Sequence, residues 1–392
     1  MNKSRVYLDY NATAPLLSGA REAMESALRL VGNPSSVHMD GRYARSAIDR
    51  ARRQVGELCG ADPSAVIFTS GATEAAAMVL TPHFKMGRSD LRIGHLYVSA
   101  VEHPCILCGG RFSAEDISVV GVDANGIISL DALDMLLRAH PAEEGRPMLA
   151  LQLANNETGV LQPLEAAGEI VKAHGGLMVV DAVQAVGRMR VDIRESGADF
   201  IILSSHKIGG PKGAGALVCA GEVLMPTPLI PGGGQERGHR SGTENPAAIA
   251  GFGVAAAEAV NGLEARAAKM GQMRDRLEVG IQTIAPDSVI YGQDVARLVN
   301  TTFFALPGLK AETAQIAFDL EGVSVSAGSA CSSGKVGPSH VLEAMGVNPE
   351  PGGIRVSIGA GTNHSDITRF LGVFEPINEK REKKKQENTA PV

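Results

Sequence analysis

Tryptophan is absent from this 392-residue chain, and the other aromatic rings are few, with 5 tyrosines and 10 phenylalanines. Platforms that stack single-stranded nucleic acid need such rings, so no such surface is expected. The net charge of −6 likewise provides no global basic field to attract a phosphate backbone. No apolar run approaches the ~18 residues that cross a bilayer, so no membrane partner is expected. The opening MNKSRVYLDYNATAPL carries neither an apolar h-region nor a cleavage pattern, so no secretory leader is expected. Cysteine is scarce: Cys59, Cys105, Cys108, Cys219 and Cys331. An odd number without a leader argues for free thiols in a reducing compartment, and a cytoplasmic location is the expectation. No internal repeat with a period of roughly 20–50 residues is present.

What the chain does have is an ordinary apolar fraction of 44%, enough for a large buried core. Its length suggests two domains, or one large domain with an appendage. Short apolar runs recur at residues 66–70, 96–100, 148–153, 177–181, 200–204 and 215–219. Several are apolar throughout, as strands buried on both faces are. Helical patterns separate them, such as residues 164–174, which Gly175 and Gly176 bring to a stop. Strand–helix–strand repetition predicts an α/β fold with a mostly parallel sheet flanked by helices. The character changes after residue 262. Residues 263–284 read as a charged amphipathic helix, with strands near 298–306, 322–325 and 354–358. The expected division is a large domain over residues 17–262 and a smaller α+β domain from 1–16 plus 263–378. The end, EKREKKKQENTAPV at 379–392, is charged and lacks apolar anchors, so it reads as a flexible, solvated tail.

Five predicted strands carry polar groups at their carboxyl ends, the edge where open α/β sheets bind ligands. Lys207 follows the run FIILSS and precedes the Gly-Pro-rich turn IGGPKG. Desolvation there would lower its pKa and suit it to Schiff-base chemistry. A solitary strand-end lysine would simply be solvated. Asp181 ends LMVVD, with Gln184 three residues on. Such a carboxylate can keep a pyridine nitrogen protonated, or it can cap a helix. In IFTSGATEA a turn and a helix start bring the amides of Ala72 and Thr73 toward an anion. His103, in SAVEHP, can stack on a ring and shuttle protons, or serve the fold alone. Asn156 sits after another strand, in LANNETG. The convergence of five strand ends points to a cofactor site more strongly than any one residue does.

In chain order, YLDYNATAP (7–15), GNPSSVH (32–38), TSGATEA, EHP, NNETG, VDAVQAVG (180–187), SSHKIGGPKGAGAL, GGGQERGHRSGTEN (232–245) and GSACSSG (328–334) follow one another. Together they resemble the NifS/IscS-type cysteine desulfurases, in the aminotransferase class V group of fold-type I pyridoxal-phosphate enzymes. The resemblance runs from residue 7 to about residue 370 and implies that fold. It implies that Lys207 holds pyridoxal 5'-phosphate, that Asp181 pairs with the ring nitrogen and that Gln184 contacts the ring hydroxyl. His103 would stack on the ring. Ala72, Thr73, Ser204 and His206 would hold the phosphate, joined by the partner subunit's Thr243 in an obligate homodimer. Asn156, also beside the cofactor, and Arg355 would bind the carboxylate of L-cysteine. The planar fork of Arg355 matches a carboxylate, although without the resemblance it reads as a surface salt bridge.

Cys331, in SVSAGSACSSGKVGPSH, lies among small residues and glycines and reads as part of a loop. A lone cysteine is otherwise a small hydrophobe. The resemblance makes it the catalytic nucleophile, with Lys207 and His103 as the other catalytic groups. Sulfur from L-cysteine would pass to Cys331 as a persulfide, L-alanine would leave, and a sulfur-acceptor protein such as an iron–sulfur scaffold would follow. The stretch SSGKVGPSHVL departs from the better-known members at Lys335 and Gly337, which leaves the acceptor open. Cys105 and Cys108 have CxxC spacing without a second ligand pair, so packed thiols or a redox pair fit better than zinc, and no metal is expected. Rival readings are a selenocysteine lyase, a desulfurase for tRNA thiolation, an aminotransferase or epimerase of the same fold, and a non-catalytic docking subunit. Cys331 argues against the aminotransferase and epimerase, and retention of both Cys331 and Lys207 argues against a docking subunit.

Overall fold

The computed structural model describes residues 5–328 and 338–389. The first part of the chain carries β1 (Val6–Tyr7), α1 (Ser18–Leu28), α2 (Met39–Leu58), β2 (Val66–Thr69), α3 (Ala72–Val79), β3 (His83–Met86), β4 (Ser89–Ser99), α4 (Pro104–Leu107) and β5 (Ile117–Val120). Next come α5 (Leu130–Arg138), β6 (Arg146–Gln152), α6 (Leu164–Ala173), β7 (Leu177–Asp181), α7 (Ile193–Ser196), β8 (Phe200–Ser204), β9 (Gly215–Cys219), β10 (Leu224–Pro226) and α8 (Pro246–Val260). The remainder is α9 (Leu263–Ile284), β11 (Val289–Ile290), β12 (Thr301–Ala305), α10 (Ala311–Leu320), β13 (Val323–Ser324), β14 (Ser326–Ala327), α11 (His340–Ala344), β15 (Ile354–Ser357) and α12 (His364–Thr389).

The large sheet is ordered β10-β3-β4-β6-β7-β8-β9-β2, with β5 beside β4. Strands β5, β4, β6, β7 and β8 are mutually parallel. β9 runs against β8 and β2 runs against β9, so β2 points the same way as β8. The carboxyl ends of β2, β4, β6, β7 and β8 therefore share one edge. β7, β8 and β9 are buried throughout because both faces are covered. Ile48, Val55, Leu133, Val171 and Phe252 from the helices cover one face. Met78, Val79 and Ile106 from α3 and α4 cover the other. The mostly parallel sheet with helices on both faces is the architecture expected from the sequence. α6 stops where Gly175 adopts φ +67°, a conformation that costs glycine little.

A second, four-stranded antiparallel sheet is ordered β11-β12-β15-β14, and β1 pairs with β13 beside it. Helices α9, α10 and α12 bury their apolar faces here, with Phe318 stacked on Phe370 at a centroid distance of 4.8 Å. From β1 the chain crosses to the large sheet. Tyr10 N donates to Ser357 O, and Ala14 N donates to His206 O. Asn11 is buried in that crossing, its Nδ2 donating to Thr301 Oγ1 at 2.9 Å.

The charged tail differs from the expectation of a solvated end, because α12 continues through Thr389. Arg381 is buried and donates to Asp287 Oδ1 at 2.5 Å, while Lys385 Nζ donates to Asp287 Oδ2 at 2.6 Å. Those cations are paired across the fold, which anchors the helix. No single helix among the described residues is long and apolar enough to cross a membrane.

Candidate active site

The register of the parallel strands sets the shared edge. Gln152 at the end of β6 lies opposite Asp181, which lies opposite Ile202 in β8. A cavity of about 580 Å³ opens there. His103 after β4, Asn156 after β6, Asp181 at the end of β7, Gln184 just beyond it and Lys207 after β8 line it. Ala72, Thr73, Ser204 and His206 line it as well.

Lys207 lies in the short turn after β8, and its Nζ donates to Asn11 O at 2.5 Å and Ala12 O at 3.0 Å. The segment that crosses from the second sheet thus supplies the acceptors for this amine. Asp181 is buried, with Oδ1 accepting the Val183 N–H at 2.9 Å. Burial pushes its pKa up to about 6, against the weaker pulls of that hydrogen bond and of Lys207. Burial and then the Lys207 charge lower His103 to about 4. His206, whose Nδ1 meets Thr13 Oγ1 at 3.1 Å, is likewise lowered to about 4 by burial and then Lys207. Both imidazoles are neutral near pH 7.

Helix α3 begins without a side-chain cap. Glu74, in its first turn, accepts from Ser70 N at 2.8 Å and is held by Arg240 at 2.8 Å. Ala72 and Thr73, the first residues of this uncapped helix, line the cavity, and helix-start amides suit an anion. Gly215 in β9 makes the close approach possible: a Cβ there would come within 2.6 Å of Gly71.

The aminotransferase class-V model matches residues 6–370. The chain belongs to the aminotransferase class-V family. Among curated relatives, Cysteine desulfurase IscS of Dictyoglomus turgidum is 37% identical over 385 residues, spanning 96% of this chain and 95% of that protein. A cysteine desulfurase of Cereibacter sphaeroides is 40% identical, spanning 95% of each. Among solved structures, the NifS-like protein of Rickettsia africae superposes with a TM-score of 0.86 at 33% identity, over 96% of this chain and 99% of that one. SspA in complex with cysteine superposes at 0.71 with 27% identity, over 91% and 99%.

Not every expected residue of the family site meets in this cavity. Thr243 is exposed and does not line it. Arg355 lies in β15 of the second sheet and is fully buried, so it is no surface salt bridge. It donates to Asn156 O at 2.9 Å and to Asp9 Oδ1 at 3.0 Å, beneath the cavity-lining Asn156. Cys331, with Lys335 and Gly337, lies outside the described residues. Among the described residues no group of His, Cys, Asp and Glu could hold a metal ion. Sequence reasoning did not assign Gln152 or Lys212 to the site, and it read the lining Cys105 only as half of a CxxC pair. Lys212 was visible in GGPKG five residues beyond Lys207, and Cys105 two residues beyond His103.

Proposed function

We propose that this chain is a pyridoxal-phosphate-dependent cysteine desulfurase, which converts L-cysteine to L-alanine and moves the sulfur to Cys331 as a persulfide. One observation carries the reading: a single cavity is lined both by the uncapped start of α3 and by a buried carboxylate. The α3 amides with Ser204 and His206 suit a phosphate, and Asp181 suits a ring nitrogen that carries a proton. Gln184 Oε1 and Asn156 Oδ1 are buried without a hydrogen-bond partner among the described residues, so both have capacity for a polar ligand. These residues fit pyridoxal phosphate. The names of the curated relatives and the neighbour solved with cysteine support cysteine as substrate.

When bound, the cofactor supplies an electron sink for the substrate α-carbon. Lys207 holds it and moves the proton at that carbon. Asp181 ionises fully once a cation lies beside it. His103 stays neutral against the ring. Asn156 and Arg355 orient the substrate carboxylate. The Cys331 thiolate attacks the substrate sulfur: an S–S bond forms, the Cβ–S bond breaks, and the electron pair left on carbon takes a proton to become the alanine methyl.

The partner subunit's Thr243 completes the phosphate end, so the working unit is a homodimer. The exposure of this chain's own Thr243 away from its own cavity supports that arrangement. In the division at residues 17–262 and 263–378 plus 1–16, the cofactor groups belong to the large domain and Arg355 to the small one. Sulfur then passes to an acceptor such as an iron–sulfur scaffold protein. The free thiols of Cys59, Cys105, Cys108 and Cys219 support a reducing, cytoplasmic setting.

With a thiol reductant present, wild type should release alanine and sulfide from L-cysteine in equal yield. Cys331→Ser and Lys207→Ala should each fall to background. A cofactor-loaded wild type that makes neither product would sink the reading.

A further inference from the structure

One thiol lines the cavity without a role in the chemistry above. Cys105 is the second residue of α4, the short helix that His103 caps. His103 Nδ1 accepts the Cys105 backbone N–H at 3.2 Å. A ring nitrogen that accepts an amide proton carries none of its own, so the proton of the neutral imidazole sits on Nε2. Cys105 Sγ lies 3.1 Å from the same Nδ1. With Nδ1 bare, the hydrogen between the two atoms belongs to sulfur. Thr73, at the start of α3, lines the same cavity.

We propose that Cys105 is a positioning residue for His103: its S–H bond to Nδ1 fixes the ring as the neutral Nε2–H form and holds it in place at the cavity wall. The inference rests on the reading of His103 as the residue that faces the cofactor ring. Burial pushes the thiol up to about 12, so it remains a donor across working pH. Lys207 after β8 and His340 in α11 face His103, while Asp181 at the end of β7 and Glu102 in the preceding turn face the thiol. Free cysteine is a weak donor, but here it approaches an acceptor that a backbone amide already orients.

The test is the titration of the His103 ring, followed by nitrogen-15 NMR on the cofactor-free enzyme and assigned by loss of the signal in His103→Gln. Wild type should keep the ring neutral to the acid limit of the fold. A hydrogen bond to the neutral form lowers a pKa, so Cys105→Ala should raise it by about one unit, the equivalent of one neutral hydrogen bond. Cys105→Ser, which retains a donor, should follow wild type. If Cys105→Ala does not fold, Cys105→Val keeps the volume without the donor and gives the same comparison. An unchanged titration in the donor-free variant denies the bond. An equal shift in the serine variant reduces the role to packing. Either result overturns the proposal. The measurement needs no cofactor or turnover, so it is decided separately from the desulfurase reading.

Discussion

Asp181 sits at the end of β7 with its carboxyl pushed from an ordinary 3.8 up to about 6 by burial. Between those values the folded chain binds a proton that the unfolded chain has lost, so stability falls as pH rises through that window. Above it the cost is complete, about 3 kcal/mol by the free energy of such a shift. A cation beside the carboxylate removes that cost, which links cofactor affinity to a destabilised empty site. Asp181→Asn should therefore melt higher than wild type at pH 8 when both lack cofactor, and level with it near pH 4. It should also lose cofactor on dialysis. Equal melting temperatures at pH 8 would show that the charge is already compensated. Arg355 teaches the same lesson about single residues. Its partners Asp9 and Asn156 come from distant parts of the sequence, so its burial was invisible in GGIRVSIG.

At the scale of elements, the cavity depends on how closely α3 approaches β9. Gly215→Ala would drive a methyl to 2.6 Å from Gly71 and 2.7 Å from Leu203 O. Both contacts are backbone, so the turn must shift, and overpacking of this kind costs about 1–3 kcal/mol. We expect a lower melting temperature together with faster loss of cofactor on dilution, read from its absorbance. Unchanged retention would mean that the α3 amides do not hold the phosphate. Strands of this sheet were legible where both faces are buried, as β7 and β8 show, because uninterrupted apolar runs leave little choice. The outlying strands were not. β3 and the first half of β4 form an antiparallel hairpin whose residues are largely exposed, and HFKMGRSDLR has no apolar period. Residues 322–325 read as one strand, yet β13 pairs with β1 while β14 pairs with β15, so the chain changes sheets at Val325. That His103, Asn156, Asp181, Gln184 and Lys207 share a cavity was readable because they lie at or just after strand ends. The network through Cys105 was not, since a hydrogen bond between a thiol and a neighbouring ring leaves no periodic trace.

The whole molecule couples its two cores through side chains far apart in sequence. Arg381 does the same within the second core: removing it takes one of the two cations from Asp287 among the described residues and frees the Pro307 carbonyl. Arg381→Ala should cost about 1–3 kcal/mol in urea unfolding, as loss of a charged hydrogen bond does. No loss would return the tail to the status of a solvated end. The subunit arrangement has its own test. Lys207→Ala, inactive alone, and Thr243→Val, weak alone at limiting cofactor, should recover activity when their subunits are exchanged. In the proposed mixed dimer one cavity would have an intact Lys207 and face the partner's Thr243. Failure to complement would place Thr243 outside the partner's site. The crossing segment, finally, affects the timing of assembly. β1 finds its strand partner only in Val323–Ser324, and the carbonyls that hold Lys207 Nζ lie immediately after β1. Contacts so distant in sequence form late. During translation β1 is made well before β13, so the large sheet can close around Lys207 while the crossing segment still waits for its strand partner.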